Sequence, residues 1–130
     1  MDDMSIVPSM TARRDVRDFL PLKTDALLVL LVLARRERHG YGIIRDVEER
    51  SGGETRLQTG ALYRLLKRLR TDGLIAEAGR RASREADEER RRFYRLTPLG
   101  HAVVEAEVER MARLVRAARL IEGGRDPRLA

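Results

Sequence analysis

The sequence has no cysteine. That absence excludes disulfides, thiolate metal sites and cysteine nucleophiles. Aromatic residues make up 4% of the chain against 42% hydrophobic, so any core has to be built from aliphatic side chains. Histidine occurs only at His39 and His101, too few, without cysteines, to supply the convergent ligands of a zinc or nucleophile site. No Gly-rich phosphate loop follows a strand, and Ser5, Ser9, Ser51 and Ser83 lie outside any nucleophile motif. No enzyme is therefore expected, and no catalytic residue, metal or cofactor is assigned. The apolar run Ala26 to Ala34 is too short to span a bilayer, and it follows a mixed-charge segment instead of a basic leader. The expected location is the cytoplasm, with no membrane partner.

What the chain does have is positive charge. Lys and Arg number 27 against 21 Asp and Glu, a net charge of +6, and the isoelectric point is near 10.6. This fits an anionic partner, nucleic acid before membrane. At 130 residues the chain is most simply one domain, small enough for oligomerisation to help stabilise it.

The most informative stretch runs from Gln58 to Ile75. Leu62, Leu65, Leu66 and Leu69 recur at i, i+3, i+4 and i+7, one apolar side of a helix facing a core. Tyr63, Arg64, Lys67, Arg68 and Arg70 fall off that stripe and make the other side basic. Thr59 is the expected N-cap, and Gly73 suits the left-handed position past the last turn. Such a face is most often simply solvated, and only its context favours reading a DNA groove. If it does read one, Gly60 lets the helix start approach the sugar-phosphate chain closely. Arg64 and Lys67 match the acceptors of guanine, Arg68 also points to the groove, and Gln58, Thr59 and Tyr63 are expected on phosphates.

The context is as follows. Met1 to Thr11 reads as a tail, and Ala12 to Leu20 as a short extra helix that either packs locally or crosses to a second subunit. A helix from Lys23 or Thr24 to about Arg36 is apolar on nearly every side, so it is expected to be buried on several faces. His39-Gly40-Tyr41-Gly42 reads as a turn, with Tyr41 expected to pack at the next helix entry and its hydroxyl able to meet a phosphate. That helix carries Ile43, Ile44 and Val47 inward, with Arg45 and Glu49, and Asp46 and Arg50, spaced i, i+4 outside. It ends at Gly52-Gly53, so two short helices joined by a turn, the second basic, form a helix-turn-helix. Leu74 to Arg80 and Arg92 to Leu96 read as strands that pair around Arg81 to Arg91. The acids Glu85, Asp87, Glu88 and Glu89 would repel phosphate, which leaves Arg80, Arg81, Arg91 and Arg92 at the hairpin base as the expected contacts.

Thr97-Pro98 starts the last helix. Along it Val104, Val108, Met111, Val115 and Ala118 repeat at spacings of 4, 3, 4 and 3, a heptad seam, with Leu114 and Ile121 widening the edge. Glu105, Glu107 and Glu109 precede Arg110, Arg113, Arg116 and Arg119, so an antiparallel pair of copies would set acids against arginines. The alternative is that this charge order only suits the helix dipole and the seam packs on its own domain; the favoured dimer has Val104, Val108, Met111, Leu114, Val115 and Ala118 as its expected interface.

Three ordered signatures carry a family resemblance. They are His39-Gly40-Tyr41-Gly42, then Thr59-Gly60-Ala61-Leu62-Tyr63 with Leu66-Lys67-Arg68-Leu69 and Asp72-Gly73-Leu74-Ile75, then Tyr94-Arg95-Leu96-Thr97 with Gly100. Over roughly Leu22 to Ala118 the chain resembles the PadR family of bacterial winged-helix transcriptional regulators, in its short form with a single C-terminal dimerisation helix. The resemblance implies a mainly α fold with a small β-hairpin wing, divided as residues 1–21 tail and arm, 22–97 winged helix-turn-helix, 98–122 dimerisation helix and 123–130 tail. It also implies a homodimer on double-stranded, near-palindromic operator DNA, acting as a repressor. Some relatives capture planar aromatic effectors with tryptophans on the last helix. This chain has no Trp, which leaves any small-molecule effector unknown. The competing reading is a protein interaction module whose basic face serves solubility.

Overall fold

The computed structural model describes residues 15–80 and 92–124. After a single 3-10 turn at Val16–Phe19 come α1 (Thr24–Arg35), β1 (Arg38–His39), α2 (Gly40–Arg50), α3 (Thr59–Thr71), β2 (Ile75–Arg80), β3 (Arg92–Leu96) and α4 (Pro98–Gly124). The expected mainly α fold with a small hairpin is what forms. The core is aliphatic, as the shortage of aromatics requires: Val29, Leu30, Val32 and Leu33 of α1 meet Ile43 and Val47 of α2, Leu62, Leu66 and Leu69 of α3, and Val103 and Val104 of α4. Tyr94 and Leu96 alternate inward from β3 while Arg95 faces out.

The sheet is antiparallel in the order β1-β3-β2. Ile75 pairs with Leu96 and Ala76 with Arg95 in the hairpin, and His39 pairs with Phe93 across β1 and β3. Two residues are too few to show a period, so β1 has no sequence signal. Its presence corrects the reading of His39 to Gly42 as a turn. His39 is instead the N-cap of α2, its Nδ1 accepting from the Gly42 amide at 2.9 Å, and Gly40 to Gly42 are the first helical turn. Its ring meets Phe93 edge-on with centroids 5.2 Å apart. Asp46 pairs with Arg38 at 3.1 Å and not with Arg50. The Arg38 guanidinium fills the space beside the bare Cα of Gly42, so one ion pair holds the end of β1 against α2.

The end of α3 is stitched to the start of α4. Gly73 has φ 81°, the left-handed region, and the Leu74 and Gly73 amides donate back to Leu69 and Arg70 carbonyls, closing the helix as the sequence indicates. Thr97 Oγ1 donates to the Gly73 carbonyl at 2.6 Å and accepts from the Gly100 amide at 3.0 Å, while the Thr97 amide donates to Leu74. Thr97 therefore caps α4 as expected and ties it to α3 as well.

Of the expected arm, Ala12 to Leu20, the described part holds a turn at Val16–Phe19 capped by Asp15, and residues 1–14 lie outside the described residues. The turn packs on α4 of its own chain, the local alternative. Glu107 explains part of this. Expected outside, facing a second copy, it is 1% exposed, accepting from the Leu22 amide at 3.0 Å and from Arg110 at 2.6 and 3.0 Å.

The Arg110 guanidinium, with help from the Leu22 amide, holds the Glu107 carboxyl below the usual carboxylate range despite the opposing pull of burial. A carboxylate whose folded pKa is depressed stabilises the fold above the ordinary Glu range, and that contribution is lost as pH falls through the folded value. Glu107→Gln keeps an acceptor for Leu22 but not the charge. It is expected to cost about 1–2 kcal/mol at neutral pH and to flatten the loss of stability below about pH 4. Urea unfolding at one fixed protein concentration reads both effects. Parallel wild-type and variant curves would show that the charge contributes nothing.

Candidate nucleic-acid interface

The exposed cations that the sequence singles out are carried by α3. On α3, Leu62, Leu66 and Leu69 are buried and Leu65 is half-buried, which turns Arg64, Lys67, Arg68 and Arg70 outward. Gln58, Thr59 and Gly60 are exposed at its start. Gln58 is the N-cap, not Thr59, because the chain enters helical geometry one residue earlier than expected. The Gln58 side chain makes no capping hydrogen bond. The first-turn amides of α3 are thus left for a group from outside.

A Cβ added at Gly60 would have only Arg64 Nη1 within reach, at 3.5 Å, so the fold itself has no need of a glycine. Tyr41, expected to pack at the helix entry, is instead 58% exposed in the first turn of α2. Tyr63 does not stand free on the basic face beside it. It is half-buried, with its hydroxyl over the Cα of Gly40, which leaves a phosphate contact without the outward-pointing phenol that it presupposed.

The cations differ in how they are matched. Arg70 pairs with Glu77 at 2.9 Å and Arg92 reaches the same carboxylate at 3.5 Å, so Glu77 joins the end of α3 to both strands of the hairpin. Tyr94 lies beneath, and burial, reinforced by Glu77, pushes its phenol up. Arg92, an expected contact, is therefore already engaged. Arg64, Lys67 and Arg68 have no acidic partner among the described residues. Arg95 is exposed on β3, as the strand alternation indicates, while sequence reasoning misses Glu77 as the partner of the arginines beside it. Arg81 and Arg91 lie outside the described residues, and only the backbone of Arg80 is described.

On α4, Val104 turns into its own core at 7% exposed and leaves the expected interface. Val108, Met111, Leu114, Val115 and Ala118 are exposed, as are Leu120 and Ile121. Among the described residues no His, Asp or Glu cluster could hold a metal ion, and no helix is long and apolar enough to cross a membrane.

Residues 29–106 match the transcriptional regulator PadR-like family. A PadR family transcription regulator from hypervirulent Clostridium difficile has a crystal structure similar to this one, with a TM-score of 0.64 and 24% identity, covering 76% of this chain and 98% of that one. Bacillus subtilis PadR in complex with operator DNA is similar with a TM-score of 0.57 and 22% identity, over 68% of this chain and 48% of that chain. At these identities both likenesses concern the fold. An uncharacterized 37.1 kDa protein of a Streptomyces fradiae transposon is 39% identical over 88 residues, 68% of this chain, and this chain spans 23% of that protein's length.

Proposed function

Since the chain belongs to the PadR-like family of transcriptional regulators, we propose that it binds a near-palindromic operator as a homodimer and represses transcription from it. The observation that carries this reading is the trio Arg64, Lys67 and Arg68, which stands exposed on a helix anchored by buried leucines, with no acid among the described residues to neutralise it. Neighbouring Arg70 and Arg92 share the single Glu77 carboxylate, so that acid is held beside the hairpin and away from the face of α3 that carries the trio. An α-helix presenting such a face fits the major groove. The open first turn of α3 and the unobstructed Gly60 suit a phosphate at its start, with Gln58 and Thr59 beside it and Tyr41 exposed on the first turn of α2 for another.

In this reading residues 22–97 are the DNA-binding unit and the helix within 98–122 joins two copies. The two α3 helices would enter successive major grooves about 34 Å apart. The site of action is the cytoplasm.

Sites selected from a random duplex library by the purified protein should be inverted repeats. With the selected site in hand, Arg64→Ala and Lys67→Ala are each expected to weaken its binding about tenfold or more, from the 1–3 kcal/mol of a base-edge pair. Binding to unrelated duplex should weaken far less and should fall steeply with salt. Equal losses on both duplexes would remove these residues from base reading, and no binding even at low salt would reject the function.

A further inference from the structure

Gly40 sits where three parts of the proposed DNA-binding unit meet. On one side its neighbour His39 pairs with Phe93 of the hairpin and caps α2 through the Gly42 amide. On the other, α3 approaches so closely that a Cβ on Gly40 would collide with the Tyr63 hydroxyl, stand 2.9 Å from Tyr63 Cζ and 3.4 Å from Leu62 Cδ2. Gly40 is buried with no positive φ, so the backbone there suits any residue and the glycine is needed for space alone. Tyr63 is also the residue that a surface reading of α3 would hand to the DNA.

We infer that Tyr63 is a positioning residue for DNA reading: its ring seats on the bare Cα of Gly40 and fixes the recognition helix against the first turn of α2. The inference rests on the proposed DNA reading. Its physical content is that the helix carrying Arg64, Lys67 and Arg68 cannot rotate or slide independently of the α2 start and, through His39 and β1, of the hairpin. Each contact with DNA is then made by one rigid piece, and base readers on α3 arrive in register with the phosphate-facing groups of α2.

A two-by-two set tests it: wild type, Gly40→Ala, Tyr63→Leu and the double variant, with binding to the selected operator and to unrelated duplex and thermal unfolding measured for each. A seat predicts a change of sign. In the wild-type background Tyr63→Leu loosens α3 and lowers operator affinity about tenfold, while in the Gly40→Ala background it relieves the collision and raises operator affinity by a similar factor. Binding to unrelated duplex changes much less in both. Tyr63→Phe, which keeps the ring, binds operator nearly as wild type. Loss with Tyr63→Leu in both backgrounds overturns the seat. So does a Tyr63→Phe variant that loses affinity equally on both duplexes with a shallower salt dependence, the mark of a phosphate contact. If Gly40→Ala does not fold, refolding of the double variant still supports the inference and its failure to refold opposes it. Should wild type bind no DNA, the proposed function fails, and the sign change in thermal unfolding decides separately whether the seat exists.

Discussion

Gly100→Ala is expected to destabilise the protein by about 3 kcal/mol, although the same exchange in an ordinary helix would stabilise it. Alanine is favoured over glycine inside a helix by about 1 kcal/mol, and Gly100 lies in the first turn of α4. Space decides the sign. A Cβ at this position would collide with the Leu74 carbonyl oxygen and stand 2.9 Å from Leu96 Cδ2 and 3.1 Å from the Leu74 carbonyl carbon. The obstacle is mostly backbone, and Leu74 is held by its hydrogen bonds to Leu69 and Thr97, so a side-chain rotation cannot make room. Overpacking of a tight site typically costs 1–3 kcal/mol and sometimes more, and loss of the Thr97 to Leu74 bond adds about 1 kcal/mol. In a chain of this size that lowers the melting temperature by about 10 °C. Calorimetry at constant protein concentration measures it. An unchanged or raised melting temperature would mean that α4 can lift off the Leu74 turn at no cost. The same junction sets the angle between α3 and the long helix, so a variant that stays folded should also bind the operator less well than its stability alone explains.

What the sequence discloses and what it hides divide by physical range. The face of α3 is legible because burial follows a period of 3.6, and four leucines at that period leave the cations only one place to go. The stops at Gly73 and Thr97 are legible because a cap is a local hydrogen-bonding need met by a local residue type. The burial of Glu107 is not, since its partner is the Leu22 amide, 85 positions away, and a carboxylate in a run of acids looks like any solvated one. The engagement of Arg92 is hidden for the same reason, because it depends on how β2 registers against β3 and where α3 ends. Tyr63 shows the limit within one helix: its position off the leucine stripe is read correctly, but the absent side chain of Gly40 creates a socket for it that no pattern on α3 itself announces. β1 and the placement of His39 are set by pairing with β3, a long-range event over two residues.

The distal half of α4 carries the second large expectation, that Leu114→Asp abolishes self-association and lowers affinity for the full operator by about 100-fold or more. Helical spacing makes the argument. Met111 lies seven residues after Val104, Leu114 seven after Glu107, and Val115 eleven after Val104, two or three turns on, so each returns to the face that the first half of α4 buries. In the first half that face is closed, with Val103 at 0% and Glu107 at 1% exposed; beyond it Met111 is 40%, Leu114 55%, Val115 49% and Ile121 67% exposed. One apolar stripe therefore runs off the edge of its own domain, and a second copy of α4 is the proposed body that covers the rest. Charge alone is a weaker argument than the sequence implies, because Glu107 is taken by Arg110 and Glu109 lies 3.8 Å from Arg113 of the same helix. Burial is the stronger term, since covering a leucine fully is worth about 1.5–3 kcal/mol and a symmetric contact covers each residue twice. An aspartate at position 114 replaces that gain with an unpaired carboxylate from each copy in the contact. Light scattering should find a monomer whose melting temperature at low concentration is close to that of wild type, because this half of α4 contributes nothing to the core. Two half-sites held together gain about 10²–10⁴ in affinity from the link alone, so the full operator should lose about that factor while an isolated half-site binds as before. A variant that remains dimeric would place the interface elsewhere. A monomeric variant with full operator affinity would instead show that one copy reads the whole site.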